Sequence, residues 1–559
     1  MHPSSSRPDG RPHRRHTARA VGVGLALVLL VAACSNGPSD SSTPGSTAAG
    51  GTSTPGATAP KSGFNEAQFE GEPKVGGSIT FGVESTIATL DPAGNLAQPS
   101  DIDMALSIYD QLITYDKAGK YAPGLATKWA NSNGLKTWTL TLRTGVTFSD
   151  GTPFDAEALV KHFTRLKDPK TACTCAPNMA LITDFKATDA STVEVNLAEP
   201  NAFFPSLLAG PIGFVASPTA TAKWGKDYGR HPVGTGPFTL ASFDTLVLKK
   251  NPTYWKKDDQ GRALPYLDQI TVKVIADATV RLQSLSTGDI DAFQTADTAS
   301  VAKAVADKSL KVQKVTGSSA TITIFNMRKP PFNDVKMRQA IAYGLNRQEL
   351  NSVLYQSARQ PAYSPFATDS PYYADIAWPK YDPAKGRELV KEYKAGGGSV
   401  KFTTTCIATP EGRDGLAVTQ RNGKAIGLEG SNEFLDQGAY VNKVIGASHD
   451  FTVGCFRSPQ IADADGLYTV LHTGGSGNVM GYSNPTVDKA LEDIRKTADE
   501  KEHVRLLKIV QEQVAKDVPS VPLLYDLFAN IYNPKVSGFP VPEANYLGAI
   551  KFATLYLKK

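Results

Sequence analysis

Cysteine is the residue type with the most chemistry to offer in this 559-residue chain, and there are five of them. Cys34 stands alone near the N-terminus, directly after the small residues Val31-Ala32-Ala33. Cys173 and Cys175 sit two apart in a stretch rich in Thr, Ala, Pro and Asn. Cys406 ends the strand-like run Lys-Phe-Thr-Thr-Thr-Cys, and Cys455 lies in Phe-Thr-Val-Gly-Cys-Phe. With Cys34 set aside an even number remains, and in an exported protein an even set suggests disulfides. Neighbouring strands would bring Cys406 and Cys455 within bonding distance, so a disulfide between them is expected. The pairing of Cys173 and Cys175 stays open. As half of a zinc site, Cys173-Thr174-Cys175 lacks a second close pair of Cys or His.

Reactive constellations are otherwise missing from the sequence. There is no His-Glu-x-x-His, no Gly-x-Ser-x-Gly and no phosphate-binding Gly-x-x-x-x-Gly-Lys loop. Ser300-Val301-Ala302-Lys303 has Ser-x-x-Lys spacing but no Lys-Thr-Gly partner, so it reads as the exposed start of a helix. His162, His231, His449, His472 and His503 are scattered, none at ligand spacing. The expectation is a protein that is not an enzyme and carries no metal and no cofactor.

The first 33 residues explain most of the net charge of +5. Five arginines against Asp9 give them +4, which leaves the remainder at +1 and without the electrostatic footprint of a nucleic-acid binder. The basic region ends at Arg19. The apolar run 20–31 is too short for a permanent span, and small residues follow it, as in a secretory signal. Val31-Ala32-Ala33-Cys34 resembles a bacterial lipobox, which implies removal of 1–33 and lipidation of Cys34. From 35 to 63 the chain is almost entirely Ser, Thr, Gly, Pro and Ala, with Asp40 and Lys61 its only charges. Such a segment buries too little apolar area to offset ordering, and as a coil it would reach about 30 Å. Residues 34–71 are therefore expected to tether a globular body to a membrane on its outer side.

The body needs scaffolding for more than one core at this length. Trp138, Leu140 and Leu142 alternate with threonines, which predicts a strand over 137–143, and Val146 and Phe148 resume the alternation as if in a paired strand. Asp155 is placed to cap a helix whose apolar face holds Leu159, Val160 and Phe163. Further strands are expected at 78–83, 192–197, 238–243, 246–250, 270–275, 321–326 and 401–406, with amphipathic helices at 102–112, 278–286, 335–345, 387–394, 487–495 and 504–514. The last block, 549–557, reads as a returning strand. Strands alternating with helices make this an α/β protein.

The residue strings themselves are more specific than their periodicities. Leu-Ala-Thr-Lys-Trp at 125–129, Thr-Trp-Thr-Leu-Thr-Leu-Arg-Thr-Gly-Val-Thr-Phe-Ser-Asp-Gly-Thr-Pro-Phe at 137–154 and Ala-Glu-Ala-Leu-Val-Lys-His-Phe at 156–163 resemble the signature of the family 5 extracellular solute-binding proteins. Leu90-Asp91-Pro92, Gly234-Thr235-Gly236-Pro237-Phe238, Pro265-Tyr266-Leu267-Asp268, Gly288-Asp289-Ile290-Asp291, the run 325–347, Ser483-Asn484-Pro485 and Val521-Pro522-Leu523 agree in the same order. The resemblance covers the chain from about residue 76 to the end.

That resemblance implies a two-lobed periplasmic-binding-protein-like fold, type II and cluster C in style, with a ligand enclosed between lobes joined by a hinge. Lobe one would be 72–318 with a return at 530–559 and an inserted subdomain at 109–231, and lobe two 319–529. The partners implied are a peptide or other polar solute and the permease and ATPase of an ABC importer, served by a monomer at the cell membrane. A sensory or scaffold lipoprotein of the same fold, or a receptor for a metal chelate or sugar, is the alternative. In peptide-binding relatives an aspartate in Trp-x-Ala-Asp-Tyr meets the ligand's amino group. Aligned without gaps, Gln460 takes that place here; a shifted alignment gives it to Asp463 or Asp465. Arg457 could clamp a carboxylate, while Glu84, Asn326 and Asn478 stand where this family lines its cleft.

Overall fold

Ile79, Phe81 and Val83 point the apolar half of Ser78–Val83 into a core, and this strand lies in the interior of a long mixed sheet. The computed structural model describes residues 69–559 apart from 95, 97, 117–119, 369, 371, 447, 458–463 and 541–548, all within one compact unit, Pro60–Lys559. The leader, Cys34, the tether as far as residue 68, Gln460 and Asp463 lie outside the described residues.

Ten strands make the main sheet. Across it run Glu429–Leu435, Lys401–Ile407, Val453–Arg457, Lys311–Phe325, Ser520–Tyr532, Ala292–Thr295, Ser78–Val83, Gln269–Val274, Val247–Lys250 and Phe238–Ser242. Pairing is parallel between Ser78–Val83 and Gln269–Val274, and between Lys401–Ile407 and each of its neighbours; the central long strands pair antiparallel. The strand expected at 321–326 is the end of a longer one that begins at Lys311.

A second sheet of four strands, in the order Ala126–Ser132, Thr137–Leu142, Thr192–Leu197, Ile182–Asp189, is covered by the helix Ala156–Lys167. Asp155 caps that helix, its carboxylate accepting from the Ala158 N–H at 2.8 Å. The expected pairing of 137–143 with 146–148 does not occur. Trp138, Leu140 and their neighbours pair instead with Ala126–Ser132 and Thr192–Leu197, and 143–155 is a looped connection with a single bridge, Thr147 to Pro153. Val146 and Phe148 alternate because both drop into the subdomain core, a demand that a loop can meet as well as a strand. Similarly, most of 549–557 is irregular; only Tyr556–Lys558 is a strand, joining Pro73–Lys74 and Val536–Ser537.

The family-like blocks tie these parts together. Arg165 forms an ion pair with Asp91 and lies over the Tyr228 ring. Asp110 accepts from Trp255 Nε1 at 2.8 Å, Tyr254 at 3.0 Å and Thr235 at 3.1 Å. Gly234 and Gly236 pass so close to the preceding helix that a Cβ on them would meet the Ile108 carbonyl at 2.3 Å and 2.5 Å, so no side chain fits there.

His162 is buried in the subdomain core, with Nδ1 accepting from the Ala216 N–H at 3.4 Å. Burial, reinforced by the charge of Arg165, pushes its pKa down to about 4. An unfolded chain protonates this ring below about 6.5, so stability is full above that pH and falls as the pH drops toward 4. By linkage the loss attributable to His162 at pH 5 is about 2 kcal/mol. Buried Asp103, raised well above the usual carboxylate range by desolvation, acts in the opposite direction. Urea unfolding at pH 7.5 and pH 5.0 should therefore show a smaller acid loss in His162→Gln than in the unsubstituted chain, the difference isolating this ring.

Candidate ligand-binding site

In open α/β sheets ligands collect in the crevice beyond the carboxyl ends of the strands. Three strands here end side by side. Lys401–Ile407 ends in Cys406 and Ile407, Val453–Arg457 ends in Cys455, Phe456 and Arg457, and Glu429–Leu435 is followed by the helix Gln437–Tyr440. A cavity of about 420 Å³ opens at these ends. Its floor and walls add Thr321 and Thr323 of the long central strand, Leu350 and Leu354 of the helix Arg347–Tyr355, and Leu523 and Leu524. Thr409 and Glu411 at the start of the helix Pro410–Ala425, together with Gln437, supply polar groups.

The disulfide Cys406–Cys455 is part of the cavity wall, with Cα atoms 5.1 Å apart. It staples two parallel strands just beyond their last paired residues, Thr405 and Gly454. Cys173 and Cys175, whose pairing the sequence leaves open, are also bridged, with Cα atoms 5.0 Å apart, in the subdomain core.

The cavity's charged side has an ordered backing. Tyr355 donates a hydrogen bond to Glu411, and burial raises its phenol above the usual range, so it remains a donor. Behind its ring, at 3.7 Å, lies the Arg359 guanidinium, which pairs with Asp526 at 3.3 Å; both side chains are almost fully buried. Glu411 itself is exposed to the opening. The combination offers a solute an apolar bed with a carboxylate and several hydroxyls and amides at its rim.

Of the other residues singled out in the sequence, Gln460 and Asp463 lie outside the described residues, and the rest have the following surroundings. Glu84 follows the strand Ser78–Val83 directly, half-buried, and its charge acts on buried Asp103 and on Arg281. Asn326 is 1% exposed; its amide donates to the carbonyls of His449 at 2.9 Å and Phe451 at 3.0 Å and accepts from the Arg328 N–H at 3.2 Å. Asn478 is bound in the same manner, donating to His472 O at 3.0 Å and Tyr482 O at 2.7 Å. Asp465 accepts from Arg495 Nε at 2.6 Å. Arg457 ends its strand opposite Thr321. Glu84, Asn326, Asp465 and Asn478 are not among the described residues that line the cavity. Sequence reasoning missed Tyr355, Thr409, Glu411 and Gln437; a usable signal existed only for Thr409 and Glu411, which stand just past the strand expected at 401–406.

Comparison with known proteins fits this geometry. Residues 120–478 match the description "Bacterial extracellular solute-binding proteins, family 5 Middle". The chain is 31% identical over 476 residues to the glutathione-binding protein GsiB of Salmonella paratyphi A, covering 82% of this chain and 91% of that one. Among solved structures it resembles the ABC transporter-associated periplasmic binding protein DppA from Helicobacter pylori in complex with the peptide STSA, with TM-score 0.74, 25% identity and coverage of 87% and 99%. AppA from Bacillus subtilis in complex with a nonapeptide, at 21% identity, TM-score 0.73 and coverage of 87% and 100%, shares the fold. The chain belongs to the bacterial extracellular solute-binding proteins, family 5, and is a two-lobed, extracytoplasmic substrate-binding protein of the ABC-importer type. No helix among the described residues is long and apolar enough to cross a membrane.

Cys406 and Cys455 close a loop of sequence separation 49. In the chain-entropy account a loop of that size stabilises by about 4 kcal/mol. The double substitution to alanine should lower the unfolding free energy by about 2–4 kcal/mol, measured by chemical denaturation, whereas the alanine pair at Cys173 and Cys175 should cost less because that loop is short.

Proposed function

We propose that this chain is the lipid-anchored receptor of an ABC importer, enclosing a peptide-like polar solute between lobe one, 72–318 with 530–559, and lobe two, 319–529, as a monomer and without catalysis. The subdomain 109–231 is inserted in lobe one. The observation that carries the reading is the likeness over nearly the whole length of a glutathione-binding relative; the cavity at the strand ends, lined by residues between 321 and 524, would be lobe two's share of the site. Glu84 from lobe one and Arg457, Gln460 and Asp463 from lobe two face the solute in this reading; Asn326, Asn478 and Asp465 hold the turns and helix around it. Glu411 and Gln437 at the cavity rim join the set.

The anchor reading rests on sequence: the basic and apolar leader, Cys34 directly after Val31-Ala32-Ala33, and the Ser/Thr/Gly/Pro/Ala tether. Cys34→Ser should move the protein from the membrane fraction to the soluble fraction. Retention of the variant in the membrane fraction would refute lipid attachment through this residue.

Gln460 bears on the ligand. A neutral amide accepts a hydrogen bond from an ammonium group but forms no ion pair. A carboxylate–ammonium hydrogen bond contributes roughly 1.5–3 kcal/mol, so replacing the carboxylate by a neutral amide forfeits up to about ten- to a hundredfold in affinity. Free peptide N-termini should therefore not be strongly selected. Calorimetry with glutathione and trialanine, each free and N-acetylated, should give affinities within about tenfold, or 1.4 kcal/mol. A larger preference for the free amine points to Asp463 as the acid that meets it. No binding by any of the four removes the peptide class and leaves a receptor for another polar solute.

A further inference from the structure

Phe203 and Phe204 are adjacent in the chain and buried in different cores. Phe204 packs with Trp138, ring centroids 5.8 Å apart, in the core of the four-stranded subdomain. Phe203, 3% exposed, belongs instead to the cluster of Leu467, Leu491 and Leu506, with its ring 4.9 Å from that of His503. Those residues lie on three helices of lobe two, Ala464–Leu471, Pro485–Arg495 and Glu500–Asp517. Phe203 directly precedes the short helix Phe204–Leu208. Asn201 is buried, its Oδ1 accepting from the Phe203 N–H at 2.8 Å and its N–H reaching Leu135 O at 3.3 Å.

The next contact extends the join to backbone. The Ala202 N–H donates to the carbonyl of Arg495 at 2.8 Å. The Arg495 side chain in turn holds Asp465 at 2.6 Å and lies 3.4 Å over the Tyr468 ring, so one residue receives the subdomain and fixes the helix Ala464–Leu471. Lys120 and Glu500 add an ion pair at 3.9 Å, exposed on both sides and therefore weak.

From this geometry we infer that Phe203 is a releasable rivet between the inserted subdomain and lobe two, and a positioning residue for closure of the receptor. The inference rests on the two-lobe reading. In that reading the chain enters and leaves the subdomain through lobe one, so connectivity does not require it to touch lobe two. Separation of the lobes must withdraw Phe203 from its seat and break the Ala202 to Arg495 hydrogen bond. Closure restores both, and through Arg495 it sets the helix that follows directly in sequence on Asp463. Phe204 stays in its own core in either state, which lets the rivet be pulled without unfolding the subdomain.

The test uses no ligand, so it stands apart from the identity of the solute. In the full chain carrying Cys34→Ser, spin labels placed at Lys186→Cys on the subdomain and Lys508→Cys on lobe two, both exposed positions, report their separation by pulsed dipolar spectroscopy. The unsubstituted seat should give a distribution in which the short, seated distance is measurably populated beside a longer one. Phe203→Ala should shift it to longer separation, and Phe203→Leu, which keeps apolar bulk, should fall between the two. The leucine arm decides the matter if the alanine chain fails to fold. A Phe203 that serves only as core filler would lower the melting temperature and leave the distances where they were. An unchanged distribution in both variants, whatever the melting temperatures do, overturns the inference.

Discussion

One hydrogen-bonded ribbon carries the whole of the main sheet. Lys311–Phe325 and Ser520–Tyr532 pair antiparallel from Lys311 opposite Tyr532 to Ile324 opposite Ser520. On one side the second strand pairs antiparallel with Ala292–Thr295, and through it the sheet reaches Ser78–Val83 and the N-terminal strands. On the other side the first strand pairs with Val453–Arg457, and through it with Lys401–Ile407, which bear the cavity and the disulfide. The register slips between Thr316 and Ala320 and again between Thr321 and Ile322, where the ribbon passes from one set of partners to the other. Bulges of this sort bend and twist a strand pair without breaking it. The two sides of the main sheet are thus joined by main-chain hydrogen bonds whose register is irregular between Thr316 and Ile322.

Specificity of that pairing is set by buried amides. Asn530 donates to Gln313 at 2.9 Å, and Gln313 donates to Pro540 O at 3.1 Å, both residues almost wholly out of water. A one-residue slip would turn every side chain to the opposite face and leave these amides without partners. The ribbon is therefore fixed in register over Lys311–Thr316, before the slip. On the other side, where Thr321 and Thr323 open on the cavity, the same strand presents small hydroxyls.

Amphipathic elements were legible in the sequence because each has one wet face. Ser78–Val83, Thr192–Leu197 and the helices around Leu159, Leu491 and Leu507 were all readable from spacing. Ser520–Tyr532 was not, since residues 521–532 are buried on both faces and show no period, and Pro522 suggests a break. The binding site was harder still. The blocks that reveal the family supply clamps: Asp91 to Arg165, Asp110 to Trp255, Arg338 to the carbonyls of Phe332 and Asp517, Asn326 to its turn. Residues that hold a fold together recur as strings, whereas those that meet a solute are set by which strand ends converge. Glu411 and Gln437 are separated by a helix and a strand and meet only at the cavity.

A receptor of this type has to close on its cargo and later let it go, which limits how strongly the lobes can hold each other. Burying one phenylalanine side chain contributes about 1.5–3 kcal/mol, whereas a solute bound at micromolar affinity supplies about 8 kcal/mol. The Phe203 seat is therefore too weak to replace a ligand as the cause of closure. It is large enough to shift the balance of open and closed forms by roughly ten- to a hundredfold. The ribbon bears the permanent load through many backbone bonds that need not break, and the rivet adds a single apolar contact that must. Arg495 links that contact to the helix beginning at Ala464. A solute that orders this helix and a subdomain that seats on Arg495 thus favour the same state, which is the thermodynamic requirement for closure to report occupancy.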